Sequence, residues 1–271
     1  ILRKNGDEHM PTTYTHDIFG KDVFKKLPDT LKEIIRQGKS LYRIGLHGPD
    51  IFFYYRPIQK NEVNQTGHRM HKEIASEFFQ RGIREFQTNP SAQLAAYLLG
   101  FACHYVLDST CHGYIGRFER KTGISHAEIE TELDRYFMER EHKELFSYLP
   151  TSVLEPTESN CRVIARVFPR LDEKKIYQAI KSQKKYDKLL TCKSVWKERV
   201  VLGGMKLLRC YDSLEGQVMR KEPNPACSES TEYLEGLYQK AVAEAPAVLE
   251  NLYNCMYGRG TLSVRFDRDY N

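Results

Sequence analysis

The sequence predicts an all-α protein. Apolar residues recur at three- and four-residue steps along most of the chain, which is the period of a helix with one buried face. Only residues 262–270 show the alternation of a strand. No glycine-rich phosphate loop, internal repeat or low-complexity tract interrupts the pattern. The strongest signal is one long helical stretch beginning at Asn89-Pro90, which carries His104, Asp108 and His112 at i, i+4 and i+8. Each fourth residue advances by about 400°, so the three side chains share an arc of roughly 80°.

Taken in order, residues 1–9 read as an extension ahead of Met10, and residues 10–271 as one domain. Its chemistry-bearing residues are expected in 10–150, with further packing helices in 151–271. Thr12, Thr13 and Thr15 offer caps for a first helix that carries His16 and an apolar stripe of Tyr14, Ile18, Phe19 and Val23. Pro28-Asp29 closes it and opens a second helix with Leu31, Ile34 and Ile35. Gly48-Pro49 then makes a turn, and Asp50 and four aromatics follow at once, which suggests a loop aimed into a pocket. A turn or cap role for Asp50, and a packing role for Phe52, Phe53, Tyr54 and Tyr55, are the simpler alternatives.

Gly67 opens an amphipathic helix through Ile74, Phe78, Phe79 and Ile83, with His68 and His71 at its head. His71 leads the apolar stripe and is expected to face inward. Asn89 caps the central helix and Pro90 takes its first position. That helix is apolar on most sides, and no Lys or Arg occurs within 90–116. A buried carboxylate is costly without a cation, so Asp108 calls for a metal or a distant Arg. Ser125 and Glu128 form a capping box for the next helix. Glu130 is left free beside His126, again at i, i+4. Residues 151–160 read as a connection, and helices follow over 176–190, 195–218 and 233–257, with Gly203-Gly204 and Pro246 as points of bending or division.

The charge balance is +5 over 271 residues, with 41% hydrophobic and 28% charged residues, which is ordinary for a globular chain. That mild excess selects neither nucleic acid nor a membrane. No 18-residue uncharged apolar run is present, and no signal-peptide core precedes the domain. The expected location is therefore cytoplasmic, with the seven scattered cysteines as free thiols.

Residues 11–20 (PTTYTHDIFG), 45–53 (GLHGPDIFF), 67–71 (GHRMH), 104–112 and 126–130 together resemble the zinc-dependent phospholipase C family. Its all-helical fold, with a zinc cluster in a central cleft, is shared with secreted single-strand nucleases. The resemblance implies that Asp50, His71, His104 and Asp108 hold one zinc. His112, His126 and Glu130 would hold a second, and His16 with Asp108 a third, Asp108 bridging. Secreted members complete the third site with an N-terminal Trp. The only Trp here is Trp196, so two or three ions are expected. The implied activity is hydrolysis of a phospholipid phosphodiester by zinc-activated water, with Asp50 orienting or deprotonating that water, and with peripheral membrane contact. No stable nucleic-acid partner is expected. The alternatives are a nuclease or soluble phosphoester hydrolase, and a non-catalytic helical protein with a structural metal site.

Overall fold

The structure, a computed structural model, describes residues 13–57 and 59–270, and no strand occurs among them. The helices are α1 (Tyr14–Lys26), α2 (Asp29–Gln37), α3 (Lys39–Gly45), α4 (Glu62–Lys72), α5 (Ala75–Thr88), α6 (Ala92–Thr122), α7 (His126–Arg140), α8 (Glu158–Ala165), α9 (Glu173–Leu190), α10 (Val195–Leu207), the short α11 (Tyr211–Leu214) and α12 (Ser228–Met256). A 3-10 turn over Gly48–Tyr54 carries the Gly-Pro-Asp segment. The all-α class read from the sequence is the observed one.

Helix α6 is the axis. It is buried almost continuously from Leu94 to Ser109, because α3, α12, α2 and α1 pack around it. The α3–α6 crossing is backbone against backbone. A Cβ on Gly100 would strike the Tyr42 carbonyl, and one on Gly45 would strike that of Tyr97. The main core draws on residues from Tyr14 through Tyr270, so α12 and the tail pack on the same centre as α1 to α7.

Several boundaries differ from the sequence reading. The helix expected to open at Gly67 is two helices. Asn61 starts α4 earlier through a capping box with Asn64, so His71 sits in a last turn and not a first. The chain breaks at Glu73, which is extended, and the Ala75 amide then bonds to the Arg268 carbonyl in the tail. The cap of α6 is Ser91, whose hydroxyl accepts from the Leu94 amide at 3.1 Å, so Asn89 and Pro90 lie outside the helix. Half of the Ser125–Glu128 box forms. Ser125 accepts from the Glu128 amide, but the Glu128 carboxylate accepts from the Asn224 side chain at 2.8 Å.

The helix expected over 195–218 ends at Leu207, where Arg209 adopts a positive φ, while Gly203-Gly204 lies inside it. Pro246 lies within α12 without dividing it. Thr151 is no free linker: it is buried and bonds to Asp187 of α9. The tail is not a strand but holds a 3-10 turn at Val264–Phe266. The extension at 1–9 and the Thr12 cap lie outside the described residues.

Candidate metal centre

Four helices and the 3-10 turn deliver five imidazoles and three carboxylates to one buried region. His104, Asp108 and His112 come from α6, as the helical period requires. Asp108 is two-sided. Its Oδ1 faces His16 Nε2 at 3.3 Å and His112 Nε2 at 3.6 Å. Its Oδ2 faces His104 Nε2 at 2.9 Å and His71 Nε2 at 3.8 Å. Asp50 reaches His71 Nε2 at 3.0 Å and His104 Nε2 at 3.7 Å. Glu130 Oε1 lies 3.0 Å from His126 Nε2 and 3.6 Å from His112 Nε2. Donor atoms of His16, Asp50, His104 and Asp108 lie within 4.8 Å of one another, as do those of His112, His126 and Glu130. His16 thus reaches Asp108 on its Oδ1 side and also lies within reach of the Asp50 and His104 donors.

Local structure explains each placement. Gly48 has φ +49, and a Cβ there would run into the His104 ring, so glycine is what lets the Asp50 turn lie against α6. Gly48→Ala is expected to cost about 1–3 kcal/mol from the strained backbone alone, and more from the collision. Thermal unfolding with elemental analysis checks both the loss and the accompanying drop in bound metal. His71 Nδ1 lies 2.8 Å from the Gly67 carbonyl. A carbonyl only accepts, so Nδ1 carries the proton and Nε2 presents its lone pair to Asp50. His68 instead lies against Phe53, with ring centroids 4.7 Å apart and the rings tilted by 51°. Phe52 and Phe53 are buried in packing, and Tyr54 packs near Tyr186.

Burial opposes ionisation of Asp108, but His104, His112 and His16 overcome it and hold the carboxyl below the usual range. Burial likewise opposes charge on Glu130, and His126 and His112 hold that carboxyl down. Against the same burial, Asp108 and Glu130 push His112 up to about 9. Among the described residues every ion-pair partner of Asp50, Asp108 and Glu130 is an imidazole. Among the described residues no Arg pairs with Asp108. Asp50 Oδ1, Asp108 Oδ2, Glu130 Oε2 and His104 Nε2 are buried without a hydrogen bond. Orphaned donors of this kind, gathered at one point, fit divalent cations, and nitrogen and carboxylate donors suit zinc.

Two residues at the site carry no sequence signal. Asp134 on α7 accepts from the amides of Thr13, Tyr14 and Thr15, at 3.2, 3.1 and 2.8 Å, and so caps α1 from across the fold. Thr13 makes no side-chain cap. This bond ties His16 to Glu130. Tyr270, 1% exposed, packs 5.1 Å from the His71 ring and 6.0 Å from His104, and closes the wall from the tail.

His47 lies beneath the cluster, with its Nδ1 3.2 Å from Gln183 Nε2. Burial, reinforced by His16 and His104, pushes its pKa from 6.5 down to about 3. The folded chain then binds fewer protons than the unfolded one between those values. Stability present above pH 6.5 is lost as pH falls toward 3, at up to about 1.4 kcal/mol per pH unit. In His47→Gln this slope should vanish. Denaturant titrations at pH 7 and pH 5 should show the gap between the two proteins narrowing by about 2 kcal/mol; parallel behaviour would refute the assignment.

An all-helical scaffold converging imidazoles and carboxylates on a buried point defines a class of multi-ligand helical metalloproteins. The zinc dependent phospholipase C family matches residues 15–197, and the chain belongs to that family. At that level it is a metal-dependent phosphodiesterase whose metal is zinc. No curated protein and no solved structure matches the chain.

Proposed function

We propose that the chain hydrolyses the glycerol-side phosphodiester of a phospholipid, releasing diacylglycerol and a phosphorylated head group. One observation supports the metal-dependent chemistry in this reading. Three buried carboxylates face imidazoles alone, with oxygens left unbonded. Asp50, His71, His104 and Asp108, with His16 beside them, would hold one or two ions, and His112, His126 and Glu130 another. Divalent ions held there lower the pKa of water and offset the charge on phosphate oxygens.

The chain's own residues do the rest. Asp50, on a turn pinned against α6, takes the proton of the attacking water. Asp108 spans both donor groups and fixes their separation. The Gly67 carbonyl orients His71, and Asp134 holds α1, and with it His16, in register.

Diacylglycerol release from phosphatidylcholine vesicles should stop on chelation and return with zinc. Cleavage of single-stranded DNA without diacylglycerol would replace the lipid reading by a nuclease. Retained metal with no turnover of any phosphoester would leave a structural site.

A further inference from the structure

Helix α10 carries an apolar stripe that no described residue covers. Trp196 is 75% exposed, Val200 71% and Leu207 84%. At 100° per residue these three fall within an arc of roughly 40°, with Gly203 on the same line and open space beyond it. Leu208, at 60%, continues the patch past the helix end. The opposite face, through Met205, Val201 and Leu202, packs on Cys192 and Val218 in a small cluster separate from the main core. The stripe is thus not an unfinished core face, because α10 already has one.

Along α10 itself the exposed charges are positive, and the nearest exposed acids, Asp212 and Glu222, lie on the neighbouring segments. Lys193, Arg199, Lys206 and Arg209 are exposed beside the stripe, and no acidic residue in 193–209 is exposed. The one acid there, Glu198, is turned inward and paired with Arg220 at 3.3 Å. An exposed Trp-Val-Leu line flanked by cations is the pattern of a helix lying flat in a lipid head-group layer. A second protein would equally bury apolar area, but the four exposed cations on and beside α10 outnumber the nearby acids Asp212 and Glu222 and favour a surface of dense negative charge. Among the described residues no helix is long and apolar enough to cross a membrane, so the contact is interfacial.

The inward side of α10 adjoins the site region. Cys192, from the cluster under α10, also lines a pocket with Tyr54, Thr131 and Asp134. Tyr54 ends the turn that carries Asp50, and Thr131 follows Glu130 in α7. Val200 and Leu207 lie beyond the residues the family matches.

We propose that the Trp196–Val200–Leu207 face of α10 docks on bilayers containing anionic phospholipid.

Trp196, the only Trp in the chain, is a built-in reporter. Phosphatidylglycerol-containing vesicles should shift its emission to the blue, and bromine-labelled acyl chains should quench it. Pure phosphatidylcholine vesicles should bind at least tenfold more weakly, and added salt should weaken the anionic binding. Val200→Glu with Leu207→Glu, both at exposed positions and with helicity checked by circular dichroism, should lower partitioning at least tenfold. Arg199→Glu with Lys206→Glu should abolish the preference for anionic vesicles. No spectral shift on any vesicle, or unchanged partitioning in the Val200/Leu207 variant, would overturn the proposal. So would a blue shift that depends on protein concentration without lipid, which would mean that a second copy covers the face. The readout needs no turnover. A chain that binds vesicles but cleaves no phosphoester keeps this inference and loses the enzymatic one, and the converse result separates them equally.

Discussion

Asp108→Asn is expected to lower bound zinc by at least one ion per chain and to cut phosphodiester turnover by about 10³-fold or more, since metal-ion stabilisation contributes several kcal/mol and each 1.4 kcal/mol is tenfold. The change keeps the shape of the side chain and removes its charge. In the native chain one carboxylate answers imidazoles on both flanks, with His104 at 2.9 Å and His16 at 3.3 Å. The amide bridges neither donor group as an anion, and its NH2 faces nitrogens that need their lone pairs. The fold should persist, because the facing imidazoles can give up their protons and no uncompensated charge is then left buried. Elemental analysis alongside initial rates tests this. Full zinc content with normal turnover would remove Asp108 from the centre.

Gly100→Val should be the most damaging change outside the site. Its Cβ would meet the Tyr42 backbone carbonyl, which belongs to a packed helix and has no rotamer to change. Overpacking against side chains costs about 1–3 kcal/mol and more where backbone must move. A loss of about 3 kcal/mol would lower Tm by roughly 6 °C or more in a chain of this size. Gly236→Ala in α12 is the matched control, since its Cβ meets nothing within 4 Å. Removing that glycine's backbone freedom should raise stability by up to about 1 kcal/mol. Equal melting of the two variants would show that the α3–α6 contact is not tight.

What could be read from the sequence was what one helix can encode. The His104–Asp108–His112 line follows from a period of 3.6, and the lack of nearby Lys or Arg marked Asp108 as needing a cation from elsewhere. His126 and Glu130 were legible for the same reason. Pairings between elements were not. Asp134 caps α1 across 119 to 121 residues, and no local pattern distinguishes it from a solvated helix acid. Tyr270 sits in a stretch whose alternation suggested a strand, yet its ring lines the site. The break after His71 was hidden because apolar spacing continues through it, while the Asn61 box that sets α4 lies upstream of the apolar run. The exposed stripe on α10 has the same periodicity as a core face, and only the packing of its opposite side reveals which way it points.

The Asp134 cap also bears on the order in which the chain folds. His112, His126 and Glu130 lie on two consecutive helices, so closing a short loop brings them together. His16 joins only after a loop of more than a hundred residues has closed and Asp134 has found the start of α1. Long closures come later in folding because their entropy is lost before contacts compensate it. The α6–α7 hairpin is therefore expected to mature first and the α1 side last, so a refolding chain should pass through a stage in which only one of the two donor groups is complete.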